Sequence, residues 1–224
     1  MLVTAVRHAE SLGNAGMLTW DDPDPLLSPR GIEQAKRAAA RLAREDVTHL
    51  WSSPFRRAIQ TASFLAQAVG LDVRLEPGMV EHYIFEDLAN YTGRTGRELK
   101  AEFPFVRVPE DFRDGGWTPA FPETWEQLLE RTRRVAERAL RLAVEADDPD
   151  AVHVVIFGHG ASTKGFVSAL GGEAIPQDAG FVNTGMSRVR LDGALPGMVE
   201  FLNDKSHLSP TRHSRYGDGA ETMT

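Results

Sequence analysis

The chain has 224 residues, 42% of them hydrophobic and 25% charged, which fits a globular protein with a sizeable core. A formal net charge of −7 argues against an electrostatically driven nucleic-acid binder, so an anionic ligand must be drawn by a local basic pocket. Zero cysteines exclude disulfides, thiolate catalysis and cysteine-ligated metals together.

In chain order, Leu2, Val3, Ala5 and Val6 predict a short buried strand that ends on Arg7-His8. A strand usually ends by releasing such side chains to solvent. The alternative is that this end holds an imidazole and a guanidinium over a site. Ser28-Pro29 then opens a helix with a serine cap and proline at its first position, striped by Ile32, Ala35, Ala39 and Leu42. Val47–Trp51 predicts a second strand, and Ser53-Pro54 repeats the start signal for a helix that Gly70 closes.

Between about Met79 and Pro122 the pattern dissolves into aromatics, glycine, proline and mixed charge, which predicts a lid or insertion. Thr124, with Gln127 three residues on, predicts a capping box and the longest helix. The run 152–157, VHVVIF, is short and almost wholly apolar, as in a strand covered on both faces. It leads through Gly158-His159-Gly160 into a helix reaching Leu170, and strands follow near Ser187–Leu191 and Met198–Leu202. The tail after about Ser209 is polar and glycine-rich. Alternating strands and helices predict an α/β three-layer sandwich: a mainly parallel central sheet flanked by helices, with a lid-like insertion at about 79–122 of one domain, 1–224. No stretch approaches the roughly 18–20 consecutive apolar residues that span a bilayer. The first residues also lack a basic segment followed by an apolar one, so the expectation is a cytoplasmic protein.

Ligands of open α/β sheets bind beyond the carboxyl ends of the strands. Three of the predicted strand ends carry basic groups: Arg7-His8, Arg56-Arg57 and His159. Taken singly, an Arg-His pair or two helical arginines are more often solvated than functional. Helical neighbours point about 100° apart, so at most one of Arg56 and Arg57 enters a pocket. Arg57 also lies near a helix start, where free N–H groups and the dipole favour an anion. His159 is a poor core element, and Gly158 and Gly160 leave room for close backbone approach, making Gly160 a candidate binding position. Together these residues describe a phosphate pocket. Other chemistries fail on spacing. There is no P-loop, the stretch GASTK around Ser162 lacks the second glycine of a nucleophile elbow, and no His-Glu-x-x-His occurs. His153 and His159 are not spaced as a helix-borne zinc pair, and His207 and His213 have no acidic cluster beside them.

Arg7-His8-Ala9-Glu10-Ser11 with Asn14 resembles the signature of the histidine phosphatase superfamily, which includes cofactor-dependent phosphoglycerate mutases and many small-molecule phosphatases. The resemblance continues through LSPRGIEQA (27–35), SSPFRRAIQTA (52–62), FGHGAS (157–162), Asn183 and NDKSHL (203–208), in the family's order. It implies that His8 is the nucleophile that becomes a phosphohistidine, and that Arg7, Arg57 and His159 hold the phosphoryl oxygens. The match of Arg57-Ala58-Ile59-Gln60-Thr61 to the family motif selects Arg57 over Arg56. Asn14 and Ser11 would add neutral donors. A carboxylic acid would protonate the leaving oxygen; Glu81 is the positional match and Glu86 its rival.

The resemblance thus implies a metal-independent phosphatase, without cofactor, acting on a small-molecule phosphate ester. The expected partners are that ester and, at most, further copies of the chain as a homo-oligomer, with no nucleic acid and no membrane. The alternatives are a phosphoglycerate mutase and a non-catalytic phosphate-binding module of the same fold. The segment AGMLTWDDPDPLL (15–27) lacks the basic and aromatic pattern of the mutases. Substrate choice is expected in the insertion, through Tyr83, Phe85, Tyr91, Arg94 and Arg97, although each aromatic is as readily explained by packing.

Overall fold

A computed structural model describes residues 1–17, 22–110 and 117–208. Seven strands form one sheet in the order β4-β3-β2-β5-β1-β6-β7. They are β1 (Leu2–Arg7), β2 (His49–Ser52), β3 (Val73–Leu75), β4 (Val106–Arg107), β5 (His153–Gly158), β6 (Met186–Arg190) and β7 (Met198–Asp204). The first five are parallel to one another, and β6 and β7 extend the sheet antiparallel. The α-helices are α1 (Pro29–Leu42), α2 (Arg56–Val69), α3 (Gly96–Glu102), α4 (Trp125–Glu145) and α5 (Gly160–Gly171).

Successive side chains of a strand point to opposite faces, and β5 shows what that does here. Val154 and Ile156 join a core with Val135, Ala136, Ala139, Phe166 and Leu170 of α4 and α5. Val155 and Phe157 join a second core with Ala38, Leu42, Ala62 and Leu65 of α1 and α2. Both faces are covered, which is why the strand is apolar throughout. The three-layer α/β architecture is the one expected from the alternation of elements.

Local signals also act as expected at most ends. Ser28 accepts the Gly31 N–H at 3.0 Å, and Gly70 ends α2 in the left-handed region. Thr124 and Gln127 form the capping box of α4. The Ser53-Pro54 signal works differently. α2 begins at Arg56, and the Ser53 hydroxyl bonds the His159 ring instead of capping the helix. The stretch 79–122, unstructured by its sequence pattern, contains α3 and the edge strand β4. Its residues have a core of their own, in which Val80, Tyr83, Leu88, Leu99 and Trp117 pack on Phe55 and Ile59.

Candidate active site

Arg7 of β1 pairs in register with Gly158 of β5. His8 and His159 are therefore each one residue past adjacent, aligned strand ends, and their rings meet edge to face at 5.0 Å. The third strand end joins them through Ser53, whose N–H donates to Phe157 O at 2.8 Å and whose Oγ lies 2.8 Å from His159 Nε2. A sheet edge has converted three distant sequence positions into neighbours.

His8 is 3% exposed. Its Nδ1 lies 2.6 Å from Ala9 O, and a carbonyl only accepts, so Nδ1 carries the proton. Burial, and then the cations of Arg57 and Arg7, push the ring well below the ordinary imidazole value of 6.5. The ring is consequently neutral, with its lone pair on Nε2. The backbone of His8 is fixed as firmly: its N–H donates to Gly158 O at 2.8 Å, and its carbonyl accepts from Asn183 Nδ2 at 3.0 Å. Ala9 N–H donates to Thr61 Oγ1 at 3.0 Å, which ties the histidine's turn to α2.

His159 is depressed in the same way, by burial first and then by Arg57, His8 and Arg7. Its Nδ1 and the Nε of Arg7 are buried polar atoms without a hydrogen-bond partner among the described residues. Such atoms are normally satisfied; Arg7 Nε–H is a donor, and His159 Nδ1 donates or accepts according to the ring's tautomer. Arg7 also donates to Phe181 O, and its guanidinium lies over Gly160, where an added Cβ would sit 3.9 Å from Nε. Arg57 is in the first turn of α2 and stacks over the Phe55 ring, its Cζ 4.3 Å from the centroid. Arg56 turns away to Glu102 and Asp22.

Glu81 comes from the loop after β3. Its Oε1 accepts from His82 N–H at 2.9 Å and from Ala161 N–H at 3.3 Å, which places the carboxylate at the N-terminus of α5, where Arg7 feels its charge. Glu86 is exposed in a separate short turn, 86–88, so the two carboxylates of the sequence pattern have different surroundings. Ser11 and Asn14 close a small turn on each other, each backbone N–H donating to the other's side chain, and Asn183 Nδ2 approaches Asn14 Oδ1 at 3.4 Å. Of the insertion residues, Tyr83 is buried in the core and Tyr91 is partly buried beside it, whereas Phe85 and Arg97 are exposed.

Two contributors, Asp24 and Thr184, carry no sequence signal. Asp24, within the acidic run DDPD, is buried 3.7 Å from Arg57 Nη1 and accepts from Tyr91 Oη–H at 3.0 Å and Arg56 N–H at 2.8 Å. Burial outweighs those partners and raises its carboxyl to about 6. Thr184, a β-branched residue at φ 58°, donates its N–H to Arg7 O at 3.0 Å and bonds His207 Nε2 through Oγ1 at 3.0 Å. His207, from NDKSHL, thus braces the turn that holds the His8 carbonyl. His213 lies outside the described residues, and no cluster of three metal-ligating side chains occurs among the described ones. No described helix is long and apolar enough to cross a membrane.

The family model of the histidine phosphatase superfamily (branch 1) matches residues 3–204. A glucosyl-3-phosphoglycerate phosphatase of Mycobacterium tuberculosis is 30% identical over 168 residues, covering 74% of this chain and 73% of that protein. Phosphoglycerate mutase-like protein 4 of Arabidopsis thaliana is 25% identical over 225 residues, covering 98% and 92%. The solved structure of a mycobacterial glucosyl-3-phosphoglycerate phosphatase matches with a TM-score of 0.63 at 22% identity, over 91% of this chain and 99% of that one. The family match covers nearly the whole chain, which belongs to the histidine phosphatase superfamily and is a phosphatase by class.

Proposed function

We propose that the protein hydrolyses a small phosphorylated metabolite through a phosphohistidine on His8, without a metal. The observation that carries this reading is the state of His8: a neutral ring with Nδ1 committed to Ala9 O and its Nε2 lone pair beside two arginines. In the first step Nε2 attacks phosphorus, the P–O bond to the leaving group breaks, and Glu81 gives that oxygen its proton. In the second step water attacks the phosphohistidine, its proton passes to Glu81, and the P–N bond breaks to release phosphate. Arg7, Arg57 and His159 match their charge and N–H groups to the phosphoryl oxygens, which is where phosphoryl transfer gains most. If the Ser53 hydroxyl donates to His159 Nε2, the Nδ1–H is left to donate to a phosphoryl oxygen. Ser11, Asn14 and Gly160 are assigned to substrate binding in this reading.

The test is a trapped phosphoenzyme. Brief exposure to a labelled phosphate ester followed by denaturation should yield an acid-labile phosphoprotein that is missing in His8→Ala, with turnover lost in the same variant and retained in a chelator. Wild-type rates in His8→Ala would refute the nucleophile. A mutase is separated by supplying 3-phosphoglycerate with a bisphosphoglycerate primer. Fast isomerisation with little free phosphate would overturn hydrolysis as the main activity.

A further inference from the structure

Two arginines of α4 grip the loop that carries Glu81. Arg131 and Arg138 are seven residues apart, two helical turns, and so share a face. Arg138 binds Glu76 at the start of the loop, Nε to Oε2 at 3.1 Å and Nη2 to Oε1 at 2.6 Å. Arg131 binds further along, Nη1 donating to Gly78 O at 2.8 Å and Nη2 to the backbone carbonyl of Glu81 at 3.0 Å. Its Nε and Nη2 also donate to the two carboxylate oxygens of buried Glu123, at 2.6 and 2.9 Å. Glu123 continues the bracket beyond Glu81. Its Oε2 accepts from Tyr83 N–H at 3.3 Å, and its backbone carbonyl accepts from His82 Nε2 at 2.9 Å.

The backbone is thus held before, at and after Glu81 by the pair of partly buried Arg131 and buried Glu123, while the Glu81 carboxylate itself is left to backbone N–H donors. A planar guanidinium suits this job because its N–H groups diverge in fixed directions; an ammonium cannot reach both carbonyls and a bidentate carboxylate together.

We infer that Arg131 is a positioning residue for proton transfer: with Glu123 it sets the loop so that the Glu81 carboxylate stays at the N-terminus of α5 beside Arg7. The inference rests on Glu81 being the proton donor. Misplacing an acid by a fraction of its hydrogen-bond length removes much of its effect, and the loss is confined to substrates that need the proton.

The experiment compares kcat/KM for an alkyl phosphate, whose leaving oxygen needs a proton, and for p-nitrophenyl phosphate, whose leaving group does not. This parameter reports the reaction only as far as transfer to His8, so the water step does not confuse it. Glu81→Gln should lose about 100-fold or more with the alkyl ester and less than about threefold with the aryl ester. Arg131→Met should repeat that selectivity, losing about 30-fold against about threefold, and should add less than about twofold in a Glu81→Gln background. Glu123→Gln, a smaller change to the same bracket, should lose about fivefold selectively should Arg131→Met fail to fold. Equal losses with both esters in Arg131→Met or Glu123→Gln, or losses that multiply those of Glu81→Gln, would overturn the positioning role alone. A Glu81→Gln variant that shows no leaving-group dependence would remove the proton donor and the inference with it.

Discussion

His159 uses one ring nitrogen on a serine and keeps the other buried, so the Ser53 hydroxyl fixes where the ring stands and, by donating to Nε2, would leave the proton on Nδ1. Ser53 also accepts from Phe55 N–H at 3.3 Å, which fixes the hydroxyl in turn. Ser53→Ala keeps the backbone and removes these bonds. A neutral buried hydrogen bond is worth about 1 kcal/mol, which for a chain of this size lowers Tm by about 2–4 °C. The larger effect should be catalytic, because both tautomers of the ring then become accessible: kcat/KM falls about tenfold while the fold persists, an expectation drawn from the usual 10²–10⁴-fold weight of a positioned proton-bearing group. Thermal melting and steady-state kinetics on one sample check it, and an unchanged kcat/KM would show that Ser53 merely packs. Sequence reasoning assigns Ser53 to a helix cap because Ser-Pro is a common start signal; only the pairing of β2 with β5 shows that the hydroxyl faces another strand end.

At the scale of elements, α1 does more than bury its apolar stripe: its N-terminal half presses on the turn after His8. Ser28 Oγ–H donates to Glu10 Oε1 at 2.7 Å, Gln34 Oε1 accepts from Glu10 N–H at 2.9 Å, and Arg30 pairs with Glu10 at 3.4 Å. Gly31 sits so close that a Cβ there would lie 1.9 Å from the Glu10 carbonyl oxygen, a backbone atom that cannot step aside. Gly31→Ala should therefore destabilise by at least the ~1–3 kcal/mol of ordinary overpacking and displace His8 as well. Denaturant melts and activity should fall together, and a fully active, equally stable variant would contradict this packing. The existence of α1, α2, α4, α5 and β5 was legible from caps and periodicity, because those signals are local. The strand register that aligns Arg7 with Gly158 was not, since it is set by pairing across 150 residues of chain. Asp24 was illegible for a related reason: an acidic run reads as solvated until a long-range fold buries one of its members beside Arg57.

For the molecule as a whole, folding buries imidazoles where protonation is disfavoured. Burial and neighbouring arginines hold His8 and His159 well below 6.5, His153 and His207 are lowered to about 4, mainly by burial, and burial lowers His49 as well. Unfolding releases all five to the ordinary value, so between pH 6.5 and about 4 the unfolded chain binds protons that the folded chain refuses. Stability therefore rises with pH across this window, is complete above about 6.5 and is lost as the solution is acidified. Asp24 acts in the opposite sense. Its folded value of about 6 exceeds the ordinary 3.8, so the folded state binds its proton first and gains stability as pH falls through 6. One opposing group against five leaves the sum destabilising in acid. Tm should accordingly drop between pH 7.5 and 5.0, and calorimetry in buffers of different ionisation heats at pH 5.5 should record a net uptake of protons on unfolding. Asp24→Asn should steepen the drop by removing the one compensating proton. A Tm that is flat or rises on acidification, or net proton release at pH 5.5, would mean that these imidazoles are not held neutral, and the description of His8 as a ready nucleophile would fail with it.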